Sequence, residues 1–408
     1  MTSSLAMAMI TEASCQPERE QVVAGTDPLD AALGIDDLYR LDPAAVEAFR
    51  VRFTRAAVDH HRARNPHYDR YCDRAKFSSA RLEREADLAL VPVLPSAIFK
   101  RRVELVQSSG TVAPVIHTTS SGTQGTLSVI PRDDVTLMRF FSTVSIGHRE
   151  VLGVEAFERQ FFNLSPSARD APDLWIAYVM TGVGVIFSTR SYVQHDQLQL
   201  DQLLADVRAV RAGEGISIVG PPPLLLDLAI HLEQHGRLSL PSDALVITIG
   251  GWKRREGERI VRADFDRRIA AALGIADVSR VRDTYNMVEL NTVIFECAHK
   301  TKHCPPWLTM IARDPRTHEA LPSGQSGVLS FLDVTATSYP GFIVSDDFGV
   351  VDRRVACRCG LTTDAVTVER RINRVESRGC ALKLDTVSRP QSPRTPVHSD
   401  QPATGERR

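Results

Sequence analysis

The chain has almost no net charge: 49 Lys and Arg against 50 Asp and Glu leave -1 at pH 7 over 408 residues. Nucleic-acid binding rests on a basic excess, so no nucleic-acid partner is expected. No apolar run approaches the roughly 20 residues that span a bilayer, so no transmembrane segment is expected. The stretch Met1–Ile10 is apolar only briefly and no basic residue precedes it, which makes a poor signal peptide. A cytoplasmic location is the expectation. Cysteine is scarce: seven, an odd number spread thinly, do not make a disulfide framework. Those thiols are left as core fillers, metal ligands or nucleophiles. No repeat recurs at a fixed period.

What is present is ordinary for a globular chain, with 43% hydrophobic and 24% charged residues. Residues 1–34 read as a polar leader. From Leu29 to about Phe77 apolar residues recur at three- and four-residue steps, and Asp42-Pro43 reads as a helix start. After the break Val91-Pro92-Val93-Leu94-Pro95, short apolar runs alternate with helical ones. The predicted strands are 114–118, 160–164, 175–180, 184–188, 216–219 and 244–249. The predicted helices are 134–146, 198–212, 224–234 and 262–273. Alternation of this kind predicts an α/β domain with a largely parallel sheet. Between about 308 and 350, short strands separated by Gly- and Pro-rich turns predict a β subdomain. The stretch 386–408 is rich in Pro, Ser, Thr, Gln and Arg and reads as a disordered tail.

The first segment with chemistry is Ser120-Ser121-Gly122-Thr123-Gln124-Gly125-Thr126, after a strand and before a helix. Glycines let backbone turn around an anion, and N–H groups and hydroxyls donate to phosphate oxygens. A Walker lysine and a G-x-G-x-x-G fingerprint are both missing. A flexible surface turn is the competing reading. Four further segments follow in order: Ile249-Gly250-Gly251-Trp252-Lys253, Arg282 to Glu289, Ser345-Asp346-Asp347-Phe348-Gly349, and Arg370 to Cys380.

These segments resemble the adenylate-forming enzymes, the acyl- and aryl-CoA synthetase superfamily. Ser120–Thr126 looks like their phosphate loop, and Tyr285-Asn286-Met287-Val288-Glu289 is similar to their Tyr-Gly-x-Thr-Glu segment. Asp347-Phe348-Gly349 is similar to their ribose-binding Asp, and Arg370-Arg371 to their hinge Gly-Arg. Gln124, Asn286 and Arg370 depart from the pattern. Within the superfamily, the chain resembles the acyl-protein synthetases of bacterial luminescence, the long-chain fatty-acid–protein ligase family. That match rests on Val91–Lys100, Thr119–Thr123, Gly250–Lys253, Tyr339-Pro340 and Arg378-Gly379-Cys380, and it covers about 35 to 385.

The resemblance implies an adenylate-forming large domain over 35–365 and a truncated C-terminal lid segment over 366–385. It implies ATP and Mg2+ as cofactors. Ser120, Ser121, Gly122, Thr123, Gly125 and Thr126 would cradle phosphate. Gly250, Gly251, Tyr285, Asn286, Met287 and Asp347 would bind the nucleotide. Tyr285 offers a flat face for adenine or is a core aromatic. Asp347 would accept from ribose hydroxyls, with Asp346 as its neighbouring alternative. Glu289 would hold Mg2+, a hard cation that prefers oxygen. Arg371 would reach phosphate or ribose. Cys380 would accept the acyl group; Arg374 and Arg378 put positive charge nearby, which favours its thiolate, and a buried core Cys is the competing reading. The substrate would be a fatty or aromatic carboxylic acid, and the partner an acyl reductase or acyl carrier. An aryl- or acyl-CoA ligase and a non-catalytic partner of an acyl reductase remain as rival readings.

Cys297 and His303, with Cys357-Arg358-Cys359 downstream, are an acceptable structural zinc set of three thiolates and one imidazole. The spacing is not a strong finger pattern, and Cys304 is an alternative to His303. Related phenylacetate-type CoA ligases carry a similar zinc site, which supports the set by resemblance.

Overall fold

The computed structural model describes residues 27–108, 116–120, 127–154 and 159–371 of the chain. Residues 1–26 of the expected leader, 121–126 of the Gly-Ser-Thr segment and everything from 372 onward, including the lid segment beyond that point and the tail, lie outside the described residues, whereas 27–34 of the leader are described and carry a helix with Leu29, Ala32 and Leu33 buried.

Proline and its capping partners punctuate the N-terminal helices. Helix α1 (Pro28–Leu33) and helix α2 (Pro43–Arg64) both begin with Pro after an Asp. Asp42 accepts from the Ala45 N–H at 2.9 Å, a cap that contributes about 1 kcal/mol. Phe49, Phe53, Ala57, Val58 and His61 then fall on one buried face of α2. The helix stops at Asn65 because the residue before Pro66 is pushed out of the helical region. Asn65 in turn accepts from the N–H groups of His67 and Tyr68 and opens helix α3 (Pro66–Arg74).

The strands follow in chain order. Strand β1 (Leu94–Pro95) is short, and β2 (Ile116–Thr119) and β3 (Val129–Arg132) form an antiparallel hairpin. Helix α4 (Asp134–Gly147) comes next, capped by Asp133. Five strands then lie parallel to their neighbours: β4 (Arg159–Pro166), β5 (Ser188–Gln194), β7 (Gly215–Gly220), β8 (Leu245–Thr248) and β9 (Val281–Tyr285). A two-residue strand β6 (Gln197–Leu198) turns back on β5. Every residue of β7 and β8 is buried, as expected for parallel strands covered on both faces. Helices α6 (Leu200–Arg208), α7 (Pro222–His235) and α8 (Arg262–Leu273) lie between these strands in sequence.

The predicted strands at 175–180 and 184–188 are corrected by the structure. Residues Trp175–Ile186 form helix α5, and β5 begins only at Ser188. The run is apolar almost throughout, so periodicity cannot separate a buried helix from a buried strand. The sheet decides it: β4 and β5 are parallel, and a parallel pair needs a crossover between its strands.

Antiparallel strands continue the same sheet. They are β10 (Ile294–Glu296), β11 (Lys302–His303), β12 (Leu308–Arg313), β13 (Ser326–Asp333), β14 (Phe342–Ala356) and β15 (Thr362–Arg371). The order is β12-β13-β14-β15-β11-β10-β9-β8-β7-β4-β5-β6, with β1 added beside β14. The β12–β14 strands fall where short strands were expected. No helix among the described residues is long and apolar enough to cross a membrane.

Candidate active site

Ligands of parallel α/β sheets bind beyond the carboxyl ends of the strands. Here β8 and β9 end side by side, with Thr248 opposite Asp283. The Thr284 hydroxyl donates to the Thr248 carbonyl at 2.9 Å and locks the two ends together. Gly250 follows at φ 67, a left-handed turn that suits glycine. A side chain on Gly251 would meet nothing within 4 Å, so this backbone faces open space.

The β2–β3 hairpin brings Ser120 and Ser128, which flank the Gly-Ser-Thr segment, to that edge. Ser120 N–H donates to the Ser128 carbonyl at 3.1 Å, and Ser128 N–H donates back to the Ser120 hydroxyl at 3.1 Å. The Ser128 hydroxyl then donates to Glu289 Oε1 at 2.6 Å. Ser120 and Glu289 are therefore one side chain apart, although 169 residues separate them in sequence by the numbering. Glu289 is 5% exposed.

Tyr285 and Asp347 meet directly. Tyr285 Oη donates to Asp347 Oδ2 at 2.8 Å, and its ring stacks on Phe331 at 5.9 Å between centroids. Asp347 is buried on β14 whereas Asp346 is half-buried, consistent with alternation along a strand. Met287 is buried beside Tyr285, whose hydroxyl also lies 3.8 Å from its sulfur. Asn286 accepts from Trp175 Nε1 at 3.1 Å and donates to the Leu290 and Thr292 carbonyls, which shapes the turn carrying Glu289.

Of the residues singled out in the sequence, Ser120, Gly250, Gly251, Tyr285, Asn286, Met287 and Glu289 stand at or just after the ends of β2, β8 and β9, and Asp347, within β14, meets Tyr285 there. Ser121, Gly122, Thr123, Gly125, Thr126 and Cys380 lie outside the described residues. Arg371 closes β15. Sequence reasoning missed Arg132 and Trp175. Arg132 is fully buried with its guanidinium carbon 3.6 Å from the centre of the Trp175 ring. The only local signal was a strand basic residue beside a phosphate-loop segment.

The Cys/His set converges. The ligand atoms of Cys297, His303, Cys357 and Cys359 all lie within 4.8 Å of one another. Cys297 Sγ is 3.7 Å from Cys357 Sγ, and Cys359 Sγ is 3.3 Å from His303 Nε2. A disulfide needs about 2.05 Å between sulfurs, so no pair is bonded. A tetrahedral ion with ligand bonds of about 2.0–2.3 Å places its ligand atoms roughly 3.3–3.8 Å apart, and the 3.7 and 3.3 Å spacings fall in that range while the set as a whole reaches 4.8 Å. Two tight turns present the thiols: Cys297 N–H donates to the Thr301 carbonyl and Cys357 N–H to the Leu361 carbonyl, both at 2.9 Å. His303 Nδ1 is 2.7 Å from the Thr363 hydroxyl, which leaves Nε2 turned toward the sulfurs. Burial lowers the His303 pKa to about 4, so the imidazole is neutral and its lone pair is available to a cation. Cys304 instead packs on Met310 in the core, 3.4 Å between sulfurs. It is not part of the set.

The profile of the acyl-protein synthetase family LuxE matches residues 15–387. The chain belongs to the LuxE acyl-protein synthetase family. It is 32% identical over 335 residues to a long-chain-fatty-acid–luciferin-component ligase of Vibrio harveyi, covering 82% of this chain and 86% of that one. A ligase of the same description from Aliivibrio fischeri is 30% identical over 380 residues, covering 91% and 96%. Among solved structures, 2-hydroxyisobutyryl-CoA ligase with 2-HIB-AMP and CoA superposes with a TM-score of 0.62 at 15% identity. That likeness covers 81% of this chain and 69% of the other, and it shows an adenylate-forming ligase fold.

Proposed function

We propose that this protein activates a long-chain fatty acid with ATP as an acyl-adenylate and passes the acyl group to a protein cysteine. A carboxylate does not react with a thiol at neutral pH, because its oxyanion repels attack and has no good leaving group. In the first step a carboxylate oxygen attacks the α-phosphorus and pyrophosphate leaves. In the second a thiolate attacks the acyl carbonyl and AMP leaves. The observation that carries the reading is the junction of Ser120, Ser128 and Glu289 beside the Tyr285–Asp347 pair, at the ends of β8 and β9. Such transfer depends on positioning and charge stabilisation more than on covalent help from the protein.

Each residue has a part in that chemistry. Ser120 and the loop after it donate to phosphate oxygens. Tyr285 presents its ring to adenine, and Asp347 accepts from ribose hydroxyls. Glu289 offers carboxylate oxygens to Mg2+, which when bound neutralises phosphate charge. Arg371 contacts phosphate or ribose, and Cys380 accepts the acyl group before delivery to an acyl reductase. Cys297, His303, Cys357 and Cys359 hold a structural zinc that ties the β10–β11 turn to the β14–β15 turn.

The test is exchange of labelled pyrophosphate into ATP across a panel of fatty and aromatic acids. Exchange that depends on a long-chain acid is expected. A chain that exchanges with none of the acids is not an adenylating enzyme. A product that forms only when CoA is added would assign the acyl group to CoA instead.

A further inference from the structure

We propose that Arg132 is a positioning residue for nucleotide activation, a buried cation that ties the phosphate-loop hairpin to the segment carrying Glu289. The inference rests on the adenylating function proposed above. Arg132 ends β3 and is fully buried. One guanidinium nitrogen, Nη1, donates to the Thr118 hydroxyl on the paired strand β2. The other, Nη2, donates to the Val288 carbonyl at 2.6 Å, one residue before Glu289. The guanidinium face lies 3.6 Å over the Trp175 ring, and the Trp175 indole N–H donates to Asn286 at 3.1 Å. Asn286 holds the Leu290 and Thr292 carbonyls. Arg132 thus joins strand β2 directly to one flank of the turn that carries Glu289, and through Trp175 and Asn286 it is linked to the other flank.

The hydrogen bonds go to a hydroxyl and a carbonyl, the guanidinium faces the Trp175 and Tyr339 rings, the carboxylates of Glu289 and Asp333 act on its charge, and Nε has no hydrogen-bond partner among the described residues. Burying a cation whose hydrogen bonds go only to neutral groups is costly, and an apolar side chain would fill the same space without that cost. The position makes chemical sense if the charge serves a task. A nucleotide bound between Ser120 and Glu289 brings negative charge next to this cation in a water-poor setting, where a preoriented charge acts strongly. The planar fork serves two acceptors while its face stacks on Trp175, which a lysine cannot reproduce.

The experiment measures pyrophosphate–ATP exchange for the wild type, Arg132→Lys and Thr118→Val. Thr118→Val keeps the shape of the side chain and removes only the acceptor, so it reports even if Arg132→Lys does not fold. The expected result is a KM for MgATP raised about tenfold or more in Arg132→Lys and by a smaller factor in Thr118→Val. The Mg2+ concentration giving half-maximal exchange should rise with it, while the KM for the fatty acid stays unchanged. A general packing defect would lower kcat or melting temperature without this selectivity. Wild-type KM values for MgATP and Mg2+ in the folded variants would overturn the inference and leave the adenylating function intact. No exchange by the wild type would instead remove that function, and this inference with it.

Discussion

Tyr285 Oη donates to Asp347 Oδ2 at 2.8 Å, joining the end of β9 to β14 across 62 residues of sequence. A carboxylate offers about four lone-pair sites, more than a single tyrosine bond uses. The two residues should therefore respond differently to substitution. Asp347→Ala removes charge-assisted acceptors and should raise the KM for ATP about tenfold or more. Tyr285→Phe keeps the ring and removes only one donor to Oδ2, so its KM should change little. Equal losses in steady-state ATP titrations of the two variants would show that the pair is only a structural bridge.

In the proposed function Glu289 is the residue that would hold Mg2+. Glu289→Gln keeps the shape and the contact with Ser128 but removes the charge. Pyrophosphate exchange should fall roughly 100-fold or more, since metal-assisted charge stabilisation is worth several kcal/mol. Ser128→Ala removes one hydrogen bond to the carboxylate and should cost about tenfold or less. Exchange assays over a Mg2+ series distinguish the two, because only Glu289→Gln should shift the Mg2+ dependence far.

The Cys297–His303–Cys357–Cys359 cluster should bind zinc. Elemental analysis of purified protein should find about one zinc per chain, and removing it with a chelator should lower the melting temperature. Cys359→Ser should reproduce both effects. Metal-free protein of unchanged melting temperature would return these thiols to ordinary packing.

How much of this was legible in the sequence depends on the range of the interaction. Asp42-Pro43 announced α2 because the cap and the proline act on their own helix. The Cys/His set stood out because thiols are few, though only folding brings Cys297 to Cys357, 60 residues away. Trp175–Ile186 was misread because an apolar run has no face to display; its state is set by the parallel pairing of β4 and β5. The nucleotide motifs were recognised through family resemblance, and no local pattern paired Tyr285 with Asp347. Arg132 looked like any strand arginine, because its partners Thr118 and Val288 lie 14 and 156 residues away.

Stability in acid should depend on Asp364. Arg50 and Arg353 both donate to its Oδ2, at 2.6 and 2.5 Å, and the Arg354 N–H donates to Oδ1 at 3.0 Å. Burial alone would push this carboxyl up; Arg50 and Arg353 outweigh it and hold the pKa below the ordinary value. The unfolded chain then takes the proton more readily than the folded one. The stabilisation is present above about pH 3.9 and is lost as the pH falls through the lower folded value. Asp364→Asn leaves Arg50 short of a buried counter-charge and should cost about 3 kcal/mol at neutral pH. Urea unfolding from pH 7 to 3 should show the gap between variant and wild type narrowing at the acid end. A constant gap would mean that the charge of Asp364 is not what stabilises.

The acyl-cysteine is the sharpest test of the transfer step. Adenylate formation needs the nucleotide site and the fatty acid but no thiol. Cys380→Ser should therefore leave pyrophosphate exchange largely intact. Transfer needs a thiolate, and a serine hydroxyl is far less ionised at pH 7, so acyl protein should disappear. Arg374 and Arg378 lie within six residues of Cys380 in sequence, and positive charge beside a thiol would favour the thiolate. Cys357 and Cys359 should not accept the acyl group when bound to a metal, because their lone pairs are then engaged. The measurement is labelling with a tritiated long-chain fatty acid and ATP, followed by hydroxylamine, which cleaves thioesters. Label on the wild type should be released by hydroxylamine and should be absent from Cys380→Ser. Label that survives hydroxylamine, or that persists in Cys380→Ser, would place the acyl group on another residue. Rapid exchange with no protein label at all, together with a CoA-dependent product, would make CoA the acceptor.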